Sequence, residues 1–435
     1  MPKIYRDKNV YEAAMERYDI IYKNFDHIYF SVSGGKDSSI MLQLAAGAAR
    51  RTGKKISVLY IDLEAQYQAT IDHVDELIRC TADVVDAWYW VAMPLSLRNA
   101  ASAIRPKWIC WDKKDRKECK MKYYSLNEYL RHTFGTKAYK ISLDAGCSCP
   151  NRDGLLDTRG CIFCSASGSG DFAEHLDMQK ILQKTRRGEI LTEADQSALR
   201  QAVQKQLIAG KARVEKKNKA GKYIAYFQAY TGTYAPVSYL RPIFEAAIEP
   251  EDVLALSVAT RPDCLDDAVL DLLEELNAKK PVWVELGLQT IHPATAEYIR
   301  RGYPLSVYDA AVGRLKKRGL EVIVHVILGL PGETTDMMKE TVSYVGVSGA
   351  DGIKLQLLHI LKGTDLEKEY EAGRCPVFSM EEYVGLVADC ISLLPKDMVI
   401  HRMTGDGDKK TLLAPLWSAD KKRVWNALQR EIASR

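Results

Sequence analysis

The sequence predicts an α/β protein built from two parallel sheets in separate domains. Strand-like and helix-like segments alternate along most of the 435 residues, which is typical of parallel sheets covered by helices. A charged segment, "KKDRKECK" at 113–120, interrupts this alternation, and Met121 then opens a segment with the pattern of an independent protein. We therefore predict a doubly wound sheet in residues 1–120, fused to a partial parallel barrel of six strand–helix units in residues 121–375. An α/β extension is expected at 376–435.

The composition is that of an ordinary globular protein, with 47% hydrophobic and 27% charged residues. No apolar run approaches the roughly 18 residues that a membrane span requires. The N-terminal residues are charged and helical in pattern, unlike a signal peptide. We therefore expect a cytoplasmic protein that does not associate with a membrane. The net charge of +4 does not by itself indicate a nucleic-acid partner.

In the first domain, a predicted strand runs directly into a glycine-rich loop, "SGGKDS" at 33–38. The predicted segments are a helix at 8–24, strands at 27–33 and 55–64, helices at 37–51 and 66–80, and a third unit at 82–94. The order of strand, glycine loop and helix is the arrangement in which a loop can bind a phosphate group.

The chemistry of this loop suits an anionic ligand. Gly34 and Gly35 let the backbone turn tightly, so that successive N–H groups point at one anion. The helix that begins near Asp37 adds the positive end of its dipole, and Lys36 can neutralise phosphate charge. The candidate nucleotide-binding residues are Ser33, Gly34, Gly35, Lys36, Asp37, Ser38 and Asp62, the last at the end of the second strand. A plain Gly-Gly turn with incidental polar neighbours is the alternative.

The loop is not a Walker A motif, because Phe30 stands where that motif has its first glycine and Asp37 follows the lysine. It resembles the PP-loop of ATP pyrophosphatases and PAPS reductases, and "YIDLEAQYQATIDHV" and "AMPLSLRNAASAIRPKWICWD" extend the resemblance to PAPS-reductase-like proteins. The resemblance implies the fold of the adenine nucleotide alpha hydrolases and the binding of ATP, with Mg²⁺, or of a related adenine nucleotide. Because only three strand–helix units are present and the cysteine motif of sulfonucleotide reductases is absent, a truncated or degenerate domain is a second interpretation.

In the second domain, strands and helices alternate again from residue 139 onward. Strands are predicted at 139–146, 223–230, 253–262, 282–290, 320–333 and 352–360, and helices at 236–248, 264–278, 306–318 and 335–347. The extension has a helix at 379–393, a short strand "MVIHRM" and a charged terminal helix. Several strands end in polar or glycine-rich segments such as "QAYTGTY", "ATRPD" and "GLPGE". Since the carboxyl ends of barrel strands carry the site, we expect these segments to surround it.

Four of the ten cysteines lie together in "CSCPNRDGLLDTRGCIFC" at 147–164. A disulfide framework is not expected in a chain without a secretion signal. Structural zinc requires two close pairs of ligands, and only Cys161 and Cys164 form a good pair, since a single residue separates Cys147 from Cys149. An iron–sulfur cluster on three cysteines is the stronger interpretation, with zinc and inert buried thiols as alternatives.

From Met121 to the end, the chain resembles the YhcC/YtqA branch of radical SAM proteins, relatives of the Elp3 catalytic domain. The resemblance rests on "CPNRDG", a short spacer and "GCIFC". It implies a [4Fe–4S] cluster held by Cys149, Cys161 and Cys164, with one iron open to S-adenosylmethionine (SAM). Reductive cleavage of SAM would give a 5′-deoxyadenosyl radical that takes hydrogen from the substrate. Cys147 is supernumerary on this alignment and is interpreted as a packing thiol.

Further candidate residues lie at the strand ends. The catalytic candidates are Glu285, Gln289 and Arg261, and the candidates for SAM binding are Gln228, Tyr230, Thr260, Glu285, Arg300, Arg301 and Gly329. Glu285 and Gln289 point into the barrel mouth if Val284 and Leu286 pack outward. A structural polar group at a strand end is the alternative for each candidate. The strand histidines are interpreted as hydrogen-bonded core groups; they are His325, His359 and His401.

The resemblance implies a tRNA substrate, with the 5-carboxymethylaminomethyl side chain of the wobble uridine converted toward aminomethyl, and an electron donor such as flavodoxin or ferredoxin. The basic segment "KARVEKKNKAGK" at 211–222 is compatible with a phosphate-backbone contact, and a solvated helix end is its alternative. Two other functions stay open. One is a sulfur-metabolism or tRNA-thiolation enzyme driven by the PP-loop domain, and the other is a non-catalytic regulator that senses nucleotide and redox state.

Overall fold

The computed structural model describes residues 7–63, 68–98, 107–111, 123–165, 168, 173, 176–215, 218, 220–405, 407 and 409–434. The chain divides into two compact units, Met1–Lys120 and Met121–Arg435. The charged segment 113–120 lies outside the described residues. Among the residues that are described, no helix is both long enough and apolar enough to cross a membrane.

The first unit contains a three-stranded parallel sheet of order β1 (Tyr29–Val32), β2 (Ile56–Asp62) and β3 (Val85–Ala92). Its helices are Val10–Asn24, Lys36–Thr52 and Gln68–Thr81. A separate antiparallel pair is formed by β4 (Leu95–Arg98) and β5 (Lys107–Cys110). Helix Lys36–Thr52 buries Leu42 and four alanines in the core of this unit. Because alanine side chains are small, the helix can pack closely on the sheet.

The second unit is built on an open parallel sheet of seven strands, an α/β architecture of the partial-barrel type. In sheet order the strands are β6 (Tyr139–Leu143), β7 (Tyr223–Phe227), β8 (Val253–Thr260), β9 (Val282–Gln289), β10 (Glu321–Leu328), β11 (Gly352–Leu357) and β13 (Val399–Arg402). The six expected strands are present, and a seventh, from "MVIHRM" in the expected extension, pairs in parallel with β11. Residues 376–435, which the sequence predicts as an α/β extension, therefore contribute one strand to the sheet.

The helices of the second unit supply most of its core. They are Leu126–Phe134, Gln179–Arg186, Glu193–Val214, Val237–Ile248, Asp267–Asn277, Pro293–Tyr298, Leu305–Lys317, Thr335–Val347, Asp365–Glu371, Met380–Ser392 and Lys421–Ser434. A short antiparallel pair, β12 (Ile360–Leu361) and β14 (Leu412–Ala414), lies outside the seven-stranded sheet. Val284 and Leu286 of β9 lie in the main hydrophobic core with helix residues such as Leu273. Since side chains alternate along a strand, Glu285 must face the opposite side of the sheet, its inner face.

The amino-terminal end of the sheet interior is closed by helix Leu126–Phe134. Leu130 on this helix packs in a separate buried cluster with Ile224, Trp283 and Ile323, which lie near the starts of their strands. The apolar plug covers this end of the sheet, and the site residues were expected at the opposite end, at the carboxyl ends of the strands.

Candidate active site

A cavity of about 240 Å³ opens at the carboxyl ends of the strands in the second unit. The structure brings together here most of the candidates drawn from the sequence, namely Cys149, Cys161, Cys164, Gln228, Tyr230, Thr260, Arg261, Glu285, Gln289 and Arg301. These residues come from distant parts of the chain, and the parallel sheet brings them together because its strand ends lie at one edge.

The cysteine loop is fixed by hydrogen bonds that turn three thiols toward the cavity. The Asn151 side-chain amide donates to the carbonyl of Arg300 at 2.6 Å and to Cys161 Sγ at 3.4 Å. Arg152 donates from Nη2 to the carbonyls of Cys164 and Ser165, at 3.0 and 2.6 Å. The motif "CPNRDG" therefore contributes an asparagine and an arginine that hold the loop, besides the thiol of Cys149.

The cysteine arrangement distinguishes a cluster from a single metal ion. Within the described parts of the chain, no three His, Cys, Asp or Glu side chains converge as ligands of one ion. The thiolates of an iron–sulfur cluster bind different irons and so surround the cluster without meeting at one point. Burial, with the neighbouring Cys164, raises the pKa of the Cys161 thiol to about 12, so a bound cation would be needed to stabilise its thiolate. Three thiols at one cavity fit an iron–sulfur cluster held by three cysteines.

Cys147 lies in the hydrophobic core instead of the cavity wall. Its side chain is 4% exposed, and its sulfur is 3.9 Å from the carbonyl oxygens of Ala145 and Gly232. Burial raises the pKa of this thiol to about 12, and Asp144 adds to the effect. A neutral thiol in such surroundings behaves as a small apolar side chain.

Backbone strain is concentrated beside the cavity. Tyr230, Gln289 and Arg300 are non-glycine residues with positive φ, at 52°, 68° and 59°. Such conformations are uncommon and tend to occur at functional sites. The Gln289 side-chain oxygen is also buried without a hydrogen-bond partner among the described residues. An unsatisfied buried acceptor on a strained cavity wall is suited to receive a hydrogen bond from a ligand.

Two arginines at the cavity are engaged in internal contacts. Arg261, a catalytic candidate from the sequence, pairs with both carboxylate oxygens of Asp263 at 2.9 and 2.7 Å. Its Nη1 donates to the carbonyl of Arg301 at 2.9 Å. Arg301 in turn donates to the carbonyls of Leu288, Thr290 and Tyr303. Both side chains therefore hold the loops after β8 and β9, and the catalytic role of Arg261 stays a prediction.

Arg300 and Gly329, two candidates for SAM binding, do not line the cavity. The Arg300 guanidinium pairs with Asp365 at 2.6 Å. Gly329 follows β10 and lies against the ring of Phe378, which would be 3.3 Å from an added Cβ. Arg300 was expected at the site as a carboxylate or phosphate partner, and Gly329 because "HVILGLPGET" resembles a strand that passes the adenine of SAM. The Arg300 side chain and the Cβ position of Gly329 face neighbouring elements of the fold.

The floor of the cavity is a buried cluster of charged groups centred on Glu285. Lys140 Nζ lies 2.5 Å from Glu285 Oε1, and Lys354 pairs with Oε2. The Ser257 hydroxyl donates to Oε1 at 2.7 Å, and His325 Nε2 is 2.7 Å from Oε2. Glu285 is thus saturated with partners, so it is better suited to hold the floor together than to act as a free acid or base.

The protonation of the charged groups around Glu285 follows from their burial and from the charges of their neighbours. Burial opposes ionisation of Glu285, but the charges of Lys140 and Lys354 outweigh it and hold the pKa of this carboxyl well below its usual value. Burial lowers the pKa of both lysines. Burial, with Lys354, also lowers the pKa of His325 to about 4, so this histidine is neutral near pH 7.

Sequence reasoning missed most of this floor. Lys140, Lys354, Tyr226 and Arg402 line or underlie the cavity and were not among the candidates. His325 was taken as a core group, and it is hydrogen-bonded, but it also lines the cavity. A lysine within an apolar strand, as in "YKISL" and "GIKLQLL", was the available signal, because such a charge must find a buried partner.

The glycine loop of the first unit has a compact geometry of its own. Gly34 has φ +74°, and an added Cβ would lie 2.7 Å from the Thr70 methyl, so only glycine fits. The Ser38 hydroxyl donates to the carbonyl of Gly35 at 3.0 Å and lies 3.1 Å from that of Ser33. Lys36 and Asp37 open the following helix, and Asp62 accepts a hydrogen bond from the Trp90 indole at 3.0 Å. Nucleotide binding at this loop stays a prediction.

The basic segment is only partly described. Lys211 pairs with both carboxylate oxygens of Asp252 at 2.7 Å, so its charge is balanced within the fold. Lys216, Lys217 and Lys219 lie outside the described residues.

Comparison with known proteins identifies two matching family profiles. Residues 158–345 match the Radical SAM superfamily, and residues 350–434 match the Radical_SAM C-terminal domain. The chain is 44% identical to YtqA of Bacillus subtilis over 314 residues, which is 72% of this chain and 90% of YtqA. It is 38% identical to YhcC of Escherichia coli over 290 residues, covering 66% of this chain and 85% of YhcC. A tRNA uridine(34) acetyltransferase of Methanocaldococcus jannaschii is 28% identical over 156 residues, 35% of this chain and 28% of that protein.

Proposed function

Because the chain belongs to the radical SAM superfamily and is an enzyme of that class, we propose that Cys149, Cys161 and Cys164 hold a [4Fe–4S] cluster that binds SAM. When bound, the cluster and SAM supply the hydrogen-abstracting radical. The observation that carries this proposal is that all three cysteines line one cavity at the carboxyl ends of the strands. Cys147, the fourth cysteine of the segment, is buried in the core.

The residues around the cavity bind and orient the reactants. Asn151 and Arg152 keep the cysteine loop in place through the contacts described above. The unsatisfied oxygen of Gln289 and the main chain near Gln228 and Tyr230 offer acceptors for the amino group or hydroxyls of SAM. The apolar plug at the amino-terminal end excludes water from the far side of the cavity, which protects a reactive radical.

We further propose that the substrate is the wobble uridine of tRNA, whose 5-carboxymethylaminomethyl side chain would be shortened to aminomethyl. Two observations support this proposal. A relative that shares part of this chain is named as an acetyltransferase of tRNA uridine 34. The cavity floor is cationic and so is suited to the carboxylate that distinguishes this side chain. A small reductant protein such as flavodoxin or ferredoxin would supply the electron.

For the first unit we propose binding of ATP, with Mg²⁺, or of a related adenine nucleotide at the loop 33–38. The proposal rests on the tight Gly34 turn and on the helix that begins at Lys36, because backbone N–H groups at such a point attract phosphate. A lysine in the first turn of that helix adds a positive charge at the same place.

The substrate proposal is tested with tRNA that carries 5-carboxymethylaminomethyluridine. The reconstituted enzyme is incubated anaerobically with this tRNA, SAM and dithionite, and the nucleosides are analysed by mass spectrometry. The proposal predicts that 5-aminomethyluridine appears with wild-type enzyme and not with Cys164→Ala. An unchanged nucleoside, under conditions in which SAM is cleaved, would show that the substrate lies elsewhere.

A further inference from the structure

We infer that the floor of the cavity is a binding site for the carboxylate of the substrate, formed by the ammonium groups of Lys354 and Lys140. The inference rests on the proposed function in that it takes this cavity as the substrate site. It adds the residues that recognise the substrate carboxylate and the basis of that recognition.

The charges of the buried floor do not balance. Lys140 and Lys354 carry two ammonium groups, and Glu285 carries the one carboxylate that both of them contact. The side chains of Glu285 and Lys354 are 0% and 4% exposed, so water does not screen this charge well. The other hydrogen bonds of these groups are to neutral partners, namely the hydroxyls of Ser257 and Tyr226 and the imidazole of His325. The Arg402 guanidinium at the cavity is a further cation. A second ammonium group buried beside a single carboxylate is stabilised by a further anion.

The surplus charge faces the cavity and not the protein core. Lys354, His325 and Arg402 line the cavity together with Glu285. Lys354 Nζ and Lys140 Nζ lie 4.5 and 4.7 Å from the centre of the Tyr226 ring, so this aromatic ring holds both ammonium groups on the inner face of the sheet. An anion that enters from the carboxyl ends of the strands therefore meets Lys354 at the bottom of its path.

The surplus is large enough to hold a further anion. Two ammonium groups against one carboxylate leave one positive charge, and the Arg402 guanidinium that lines the cavity adds another. The Tyr226 hydroxyl, 3.1 Å from Lys354 Nζ, and the Gln356 amide, 3.0 Å from His325 Nδ1, add neutral hydrogen-bonding groups around it. Because the substrate proposed for this cavity carries a carboxylate, a carboxylate is the anion assigned to this floor.

Proton uptake is expected to accompany binding. Burial lowers the pKa of both Lys140 and Lys354, and the charge of Glu285 opposes this effect. An incoming carboxylate would raise the pKa of both groups, so any fraction of neutral lysine would take up a proton. The titratable or charged groups that face this pair are Glu285, His325, Tyr226, His401 and Arg402.

The test measures binding of a small probe to the cluster-loaded enzyme with SAM present. The probes are the nucleoside 5-carboxymethylaminomethyluridine and its neutral amide, compared by calorimetry. We expect wild-type enzyme to bind the acid about 10- to 100-fold more tightly than the amide, the range typical of a charge-assisted hydrogen bond. Lys354→Met should lose this preference, Lys354→Arg should keep most of it, and the exposed Lys362→Met should match wild type. Equal affinity of wild-type enzyme for acid and amide would overturn the inference.

A second variant separates anion binding from a merely structural ion pair. Glu285→Gln removes the carboxylate that competes for the lysines. If the floor binds an anion, this variant should prefer the acid over the amide more strongly than wild-type enzyme does, and Lys354→Met should prefer it less. If the ion pairs of Glu285 serve only to hold the fold, both variants should lower the melting temperature. In that case neither variant should change the ratio of acid to amide affinity. That result would contradict the inference.

Simple anions distinguish failure of the inference from failure of the proposed substrate. If neither nucleoside binds but acetate raises the melting temperature of wild-type enzyme and not of Lys354→Met, the carboxylate site is supported and the wobble uridine is the wrong substrate. If phosphate stabilises wild-type enzyme and acetate does not, the assignment to a carboxylate is overturned.

Discussion

Cys147 and Cys149 are separated by one residue, yet only Cys149 lines the cavity, while Cys147 is packed in the core beside Gly232. The two thiols of the C-x-C pair are therefore not equivalent. This difference decides which three of the four neighbouring cysteines are available to an iron–sulfur cluster.

The first prediction concerns the cluster ligands. Cys149→Ala, Cys161→Ala and Cys164→Ala should each abolish assembly of the [4Fe–4S] cluster, because three thiolates are needed to hold it. Cys147→Ala should keep its iron, with a loss of stability of about 1 kcal/mol from the small core cavity. Iron and sulfide content and the visible absorption spectrum check these outcomes. Loss of iron in all four variants would show that the assignment of ligands is wrong.

The second prediction concerns the hydrogen bond between Asn151 and Cys161. Asn151→Leu removes a donor that lies 3.4 Å from the cysteine sulfur. Hydrogen bonds to the sulfurs stabilise the reduced, more negative cluster, so the midpoint potential should fall by some tens of millivolts. A redox titration followed by electron paramagnetic resonance measures the shift, with the exposed Thr158→Val as a control in the same loop. An unchanged potential would mean that Asn151 serves only to hold the Arg300 carbonyl.

The third prediction is a pH dependence that arises from His325. Its pKa is about 4 in the folded protein and near 6.5 in an unfolded chain. Between these values the unfolded chain binds a proton that the folded protein does not, so stability falls as pH falls, by up to about 1.4 kcal/mol per pH unit. When the pH is lowered from about 7 to about 5, the melting temperature of His325→Gln should therefore fall less than that of the wild-type protein. Equal losses in the two proteins would show that His325 is not held neutral.

The fourth prediction concerns the packing of Gly168 against Tyr230. A Cβ at Gly168 would lie 2.2 Å from the Tyr230 ring, and the Gly168 carbonyl accepts a hydrogen bond from the Tyr230 N–H at 2.9 Å. Gly168→Ala must displace this cavity-wall residue, so the affinity for SAM should fall by at least about tenfold. Gly188 also has a positive φ but has nothing within 4 Å of its Cβ position, so Gly188→Ala is the matched control for backbone strain alone. Equal effects of both changes on SAM binding would exclude a steric role for Gly168.

The inward orientation of Glu285 was predictable because sequence alternation places Val284 and Leu286 on the opposite face of the strand, and the structure buries both in the main core. Its partners were not predictable in the same way. Lys140 and Lys354 are 145 and 69 residues away along the chain, and strand order is needed to bring them to one carboxylate. A single lysine in an apolar strand shows that a partner must exist but not which one it is.

Roles of strand-end residues were the least predictable part of the site. Arg261 directly follows β8 and Arg301 follows the short helix after β9. Both reach the cavity, but their guanidinium groups are occupied by Asp263 and by backbone carbonyls. Whether a strand-end arginine binds a ligand or holds a loop depends on partners that lie in other loops. The strand "MVIHRM" shows a related limit, because pairing with β11 is a long-range contact that the local pattern does not reveal.

The most direct test of the account is reductive cleavage of SAM by the protein itself. The chain is reconstituted anaerobically with iron and sulfide, dithionite and SAM are added, and 5′-deoxyadenosine is measured, with Cys161→Ala treated in the same way. The account predicts 5′-deoxyadenosine from wild-type protein that carries about four irons per chain, and none from the variant. A fully loaded wild-type protein that forms no 5′-deoxyadenosine would contradict the account.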